Sequence, residues 1–197
     1  PTDGTHWFDS APMAEVSSLP QPSLASGPDG RIALVWLQGG QVAGASKLVL
    51  QEGRWDSEEQ KSEWQAPSVV IQAADLEEPQ VAIDQDGRVH LAWVQKGTLV
   101  TSQCVDGDCT SPTPVVAYSV CEGAGSDNRS PALAVSGERV LAVWENAGLL
   151  PYSAWPVDGH PPAQADGCVP GTNVASSPRL GTDGNGGFAL VFADNDG

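Results

Sequence analysis

The sequence predicts an all-β chain built from repeated four-stranded antiparallel sheets, and three observations lead there. First, four segments run from a proline to a large aromatic 13 or 14 residues later: PSLASGPDGRIALVW (Pro22 to Trp36), PQVAIDQDGRVHLAW (Pro79 to Trp93), PALAVSGERVLAVW (Pro131 to Trp144) and PRLGTDGNGGFALVF (Pro178 to Phe192). Their prolines are 57, 52 and 47 residues apart, and a period near 50 made of short apolar runs is the mark of stacked sheet units. Second, the run before each aromatic is apolar at successive positions, not only alternate ones, as in a strand covered on both faces. Third, turn residues (Pro28-Asp29-Gly30, Gln85-Asp86-Gly87, Ser136-Gly137, Gly184-Asn185-Gly186) split every segment into two strands, because they tolerate the positive φ that hairpins need.

Each element of one unit follows. The first strand starts at the repeat proline and carries Leu24-Ala25, Val81-Ala82, Leu133-Ala134 and Leu180-Gly181; a proline at the first strand position sacrifices no ladder bond that matters. The second strand aligns Ile32, Val89, Val140 and Phe188 in one column and Leu34, Leu91, Ala142 and Leu190 in another, between columns of Ala33, His90, Leu141, Ala189 and of Val35, Ala92, Val143, Val191. A third strand follows at Lys47 to Leu50, Thr98 to Ser102 and Leu149 to Ser153. The fourth, Trp64 to Ile71 and Ser111 to Ala117, contains Pro67 or Pro114, which suits an outer edge where the missing N–H costs nothing. Trp7 to Val16 matches that outer strand, 15 residues ahead of Pro22 as Trp64 is ahead of Pro79.

The 197 residues therefore read as one β-propeller region of about 3.5 blades: an outer strand at 7–16, blades at 22–72, 79–117 and 131–174, and a half blade at 178–193. A β-sandwich of the same short strands leaves the fixed period unexplained. With no initiator Met and no leader, the chain reads as a mature or excised piece. Three ways to complete a ring stay open: further blades elsewhere, closure as four blades using Trp7 to Val16, or pairing of two copies.

A net charge of -16, from 25 acidic against 9 basic residues, argues against nucleic acid and anionic membranes as partners. It is otherwise read as solubility, with salt adaptation and divalent cations as lesser readings. No apolar run approaches the ~18–20 residues of a membrane span. The four cysteines are expected as disulfides. In Cys104-Val-Asp-Gly-Asp-Cys109 an Asp106-Gly107 turn sets the two cysteines face to face. Cys121 and Cys168 each stand 10 residues before a repeat proline, so a bond between them is expected only if neighbouring units bring those positions close. Paired cysteines imply an extracellular, periplasmic or cell-surface location. A zinc site is a poor reading of CxxxxC, since no second ligand pair follows at finger-like spacing.

The quoted segments resemble the repeats of sialidase-like β-propellers, over about residues 7–193. The resemblance implies the fold. It implies no catalytic residue, because the Asp-box between third and fourth strands is missing; the nearest pieces are Gly53-Arg54-Trp55-Asp56 and Asp106-Gly107-Asp108. A sialidase would also need three arginines on the substrate carboxylate and a Tyr nucleophile paired with Glu. The chain has Arg31, Arg54, Arg88, Arg129, Arg139 and Arg179, several of them beside turns, and only Tyr118 and Tyr152 as tyrosines.

Other candidates each have a plainer reading. Asp84 and Asp86, like Asp194 and Asp196, form Asp-x-Asp-Gly, so calcium is a candidate cofactor; capping of a hairpin turn is the simpler explanation. His90 stands in a column of small or aliphatic residues, either admitted for function or satisfied between sheets. Glu58 to Glu63 is a charged hairpin tip and a candidate contact loop. Asn128-Arg129-Ser130 matches a glycosylation acceptor, disfavoured by Pro131. Loops Asp75 to Glu78 and Glu122 to Ser130 belong at the axial mouth of the ring. The expectation is a secreted or surface-displayed binding or assembly module without catalysis, with a protein chain, the remainder of the propeller or an extracellular glycan as partner. A glycoside hydrolase completed by further blades and a surface-layer repeat are the alternatives.

Overall fold

A computed structural model of the chain describes residues 22–39, 45–59, 61–115, 121–172, 174–183 and 185–194. The strand expected at Trp7 to Val16, and Asp196, lie outside them. Sixteen strands make four antiparallel sheets among these residues. The first holds β1 (Ser23–Ser26), β2 (Arg31–Gly39), β3 (Ser46–Asp56), β4 (Lys61–Trp64) and β5 (Ser68–Ala73). The second holds β6 (Leu76–Ile83), β7 (Val89–Gln95), β8 (Thr98–Val105), β9 (Asp108–Cys109) and β10 (Thr113–Val115). The third holds β11 (Asn128–Ser136), β12 (Arg139–Asn146), β13 (Pro151–Pro156) and β14 (Gly167–Cys168), and the fourth β15 (Ala175–Thr182) and β16 (Phe188–Asp194).

The sheets stack in chain order, each covering the next. Ala33, Val35, Leu48 and Leu50 of the first meet Val89, Leu91 and Trp93 of the second. The opposite face of the second, with Ala92 and Leu99, meets Val140, Ala142 and Trp144 of the third. Val143 and Leu150 of the third then pack against Leu180, Leu190 and Phe192 of the fourth. Alternate residues of a strand point to opposite faces, so every second strand sends its aromatic column backward and its Val or Ala column forward. The first strands β1, β6, β11 and β15 touch one another in sequence. Sheets stacked face to face around adjoining inner strands are the blades of a β-propeller.

Two strand expectations need correction. Pro79, Pro131 and Pro178 do not open their strands; β6, β11 and β15 each begin three residues earlier. The prolines sit at register shifts between Glu77 and Gln80, Arg129 and Ala132, and Ser176 and Arg179. A bulge takes the missing N–H out of the ladder, and the residues just ahead, Glu78, Ser130 and Ser177, have φ of 51°, 46° and 52°. The expected single outer strand of the first two blades is likewise split. β3 pairs with β5 along Ser46–Leu50, then runs on as a ribbon with β4, Gly53 opposite Trp64. β8 repeats the plan with β10 and then β9, Cys104 opposite Cys109.

Candidate functional site

The hairpins joining first and second strands gather at one end of the blades. Five residues after the repeat proline stand Gly27, Asp84, Ser136 and Asp183, and this position organises the turns. Asp84 Oδ1 accepts the N–H groups of Asp86 and Arg88, both at 2.9 Å. Its Oδ2 lies 3.0 Å from Nε2 of buried His90 and 3.5 Å from Nη1 of Arg88. A carboxylate only accepts, so Nε2 of His90 carries the proton. Burial pushes the His90 pKa below its ordinary 6.5, against the upward pull of Asp84. Asp183 repeats the turn, accepting N–H from Asn185 and Gly187 at 2.8 Å; these bonds hold its carboxyl below the usual range. Neighbouring turns interlock: Arg31 Nη1 donates to Gly87 O at 3.2 Å, and Gly186 N–H to Ser136 Oγ at 2.9 Å.

Of the calcium candidates, Asp84 and Asp86 share the β6–β7 turn and Asp194 stands on β16, two blades on. Asp84 is spent inside the turn, Asp86 pairs with Arg88 at 3.1 Å, and Asp194 lies on β16 opposite Ala175. Among the described residues no three His, Cys, Asp or Glu groups converge as a metal cluster. The acceptor-like Asn128 is 4% exposed, with its amide committed. Nδ2 donates to Gly97 O at 2.6 Å, while Oδ1 accepts Trp144 Nε1 at 2.8 Å and Asn146 Nδ2 at 2.6 Å.

The axial mouth, at the opposite end, is a hollow of about 210 Å³ edged by Pro22, Pro79, Pro131, Glu78, Ser130 and Arg179. Its loops are the expected ones, and several of their groups are tied down, while Asp75, Glu77 and Glu122 stand exposed. Glu78 accepts the N–H of Ser130, and Glu145 that of Ser177 at 3.4 Å, so blade-to-blade contacts hold the bulged, positive-φ residues. Arg179 donates to the carbonyl of Pro178 at 2.8 Å. The loop beside Ser130 is pinned by Cys121–Cys168, with Cα atoms 5.6 Å apart. Cys121 lies on the crossing into the third blade and Cys168 on its outer strand, which is what brings the two positions together.

A larger hollow was not read from the sequence. A cleft of about 390 Å³ opens at the hairpin end, between the β3–β4 ribbon of the first blade and the Asp106-Gly107 tip of the second. Glu52, Arg54, Glu63, Trp64, Arg31 and Asp106 all line it. Gly53 carries Trp64 directly on its bare Cα: a Cβ there would come within 2.8 Å of the indole Cε3 and of the Glu63 carbonyl. Arg31 is anchored on Gly87 O and Arg54 on Asp29 O at 2.9 Å. Burial raises the Glu52 carboxyl above its ordinary pKa; Arg31 pulls it down, Asp106 pushes it up and the Gly107 N–H lowers it. The Cys104–Cys109 bond clamps the opposing tip, Cα atoms 3.9 Å apart. The one sequence signal was the tryptophan pair Trp55 and Trp64 around a charged hairpin.

Two disulfides fit an oxidising environment, and among the described residues no helix is long and apolar enough to cross a membrane. No protein-family model and no curated protein matches the chain. Among solved structures it is similar to the native arabinanase Arb43A of Bacillus subtilis, at 14% identity and TM-score 0.47, over 84% of this chain and 69% of that one. It is also similar to a prolyl endopeptidase, at 15% identity and TM-score 0.32, over 87% of this chain but 30% of that one. Likenesses this remote carry neither activity nor ligand across; the propeller assignment rests on the chain's own strand order and sheet stacking.

Proposed function

We propose that the chain is a secreted or surface-displayed β-propeller that binds and assembles without catalysis, consistent with its resemblance to sialidase-like repeats. The observation that carries this is how its carboxylates are employed. Glu78, Glu145, Asp84 and Asp183 each accept backbone N–H groups, and a carboxylate holding a loop in place loses the charge that strengthens that bond when it takes a proton. General acid–base work needs the reverse, a carboxyl free to exchange protons with substrate. Apolar exposure on the outermost sheets, Leu24 at 65% and Val191 at 69%, supports packing against further protein there.

One observation favours the second reading, a glycoside hydrolase: the raised pKa of Glu52 in an open cleft is the property of a general acid. A reducing-end release assay over a panel of neutral and acidic glycans, run beside calorimetric binding to the same panel, separates the two. Binding without release is expected. Release abolished by Glu52→Gln would overturn the non-catalytic reading.

A further inference from the structure

Building on the assembly reading, we propose that the open face of the fourth sheet docks on the open face of the first sheet of a second copy of this chain. The junction would be head to tail, of the kind the chain already makes three times within itself.

One contact recurs at every internal junction. The residue just before a second-strand aromatic packs with the residue two past the next repeat proline. Val35 shares a cluster with Val81, Ala92 with Leu133, and Val143 with Leu180. Strand register explains the choice. Val35, Ala92 and Val143 lie opposite Ser23, Gln80 and Ala132 and face forward along the stack. Val81, Leu133 and Leu180 lie opposite Leu91, Ala142 and Leu190, on the other face of their sheets, and look backward.

Two members of this set are left without a mate. Val191, opposite Arg179, faces forward from the fourth sheet, and Leu24, opposite Leu34, faces backward from the first. At 69% and 65% they are the most exposed large apolar side chains among the described residues. A single exposed leucine is ordinary on a protein surface. These two are the separated halves of one repeated contact, and a second copy carries the mate of each.

The seat for such a copy follows from the same pattern. Each new first strand lies against the second strand of the sheet before it: β6 on β2, β11 on β7 and β15 on β12. By that rule β1 of a second copy lies on β16. On the first sheet Trp36 is already covered, while Leu24 on β1 is open, so the free part of this face is the part a preceding sheet would meet. A forward face on a backward face is a heterologous contact, which closes into a ring or propagates according to the rotation at each junction. Each copy carries a net charge of -16, so repulsion between copies opposes the junction and salt relieves it.

The test is sedimentation velocity of the 197-residue chain across a concentration series at low and high salt. Reversible association that strengthens with salt is expected. Val191→Lys and Leu24→Lys should each weaken it tenfold or more, since either buries an unpaired charge. Both reduce the net negative charge, so added repulsion cannot explain the loss. Mixed in equal amounts, the two variants should recover a complex of two chains and nothing larger, because one intact forward face and one intact backward face remain. Val105→Lys, at an exposed apolar position on the Cys104–Cys109 tip, should leave association unchanged. Circular dichroism checks the fold of each variant, and Val191→Ser and Leu24→Ser serve if a lysine disturbs it. A chain that stays monomeric, association weakened by only one of the two substitutions, variants that do not recover a complex on mixing, or weakening by salt would each overturn the proposal. If the glycan panel above still shows binding in that case, the module reading stands without the junction; a monomer that also binds no glycan removes both.

Discussion

Replacing Asp84 by alanine should cost far more than its place in a surface hairpin suggests. The side chain is 1% exposed and accepts from three donors, two backbone N–H groups at 2.9 Å and His90 Nε2 at 3.0 Å, besides an ion pair with Arg88 Nη1 at 3.5 Å. The losses are unequal. Asp86 is exposed, so water can reach its N–H, and Arg88 keeps Asp86 as a partner at 3.1 Å. His90, 2% exposed, is left with a buried, unanswered N–H, at about 1–3 kcal/mol. With the two turn bonds at about 0.5–1.5 kcal/mol each, the total is about 2–6 kcal/mol, centred on the range of about 3–5 kcal/mol found on breaking a buried pair. With a urea slope of about 2 kcal/mol/M, the unfolding midpoint should fall by about 2 M. Asp183→Ala removes the equivalent turn bonds at an exposed site and should shift the midpoint much less. Equal shifts for the two variants, or a shift under about 0.5 M for Asp84→Ala, would refute the claim that depth, rather than turn chemistry, sets the cost.

The same histidine predicts a pH dependence. Its folded pKa lies below the unfolded 6.5, so the unfolded chain binds more protons; the stability this protects is whole above about pH 6.5 and is lost as pH falls through that value. Urea midpoints at pH 7.5 and 5.5 should differ in the wild type and converge in His90→Leu, while an unchanged gap would show that another group titrates. The two disulfides should differ in worth: sequence separations of 47 and 5 imply about 4 kcal/mol for Cys121–Cys168 and about 2 kcal/mol for Cys104–Cys109 on the loop-entropy relation. Paired Cys→Ser variants compared by denaturant melts check the order, and its reversal would show that local wall rigidity outweighs loop closure.

Much of the blade was legible in the chain because it is local. Trp36, Trp93, Trp144 and Phe192 lie in the second strands as expected, although each strand runs two or three residues past its aromatic, and the Asp106-Gly107 turn placed Cys104 opposite Cys109. What was missed depends on neighbours in space. An Asp-x-Asp-Gly turn reads alike whether it caps a hairpin, holds an ion or reaches a buried histidine; only the cover of the third blade makes Asp84 a buried anchor and leaves Asp183 exposed. The prolines looked like strand starts because a bulge leaves no trace in a period-2 pattern. The cleft was invisible for the same reason: Glu52 and Asp106 are separated by a whole strand-and-turn unit and meet only because adjacent blades stack.

By itself, then, the sequence determined the blade repeat, its two buried faces and the tight cysteine hairpin, since these follow from alternation, turn chemistry and short-range register. Tertiary structure alone decided which carboxylates are spent on backbone, where Cys121 finds Cys168, and where a charged cleft opens between adjacent blades. Burial and charge depend on what the adjacent sheet brings within a few ångströms, and no single blade encodes that.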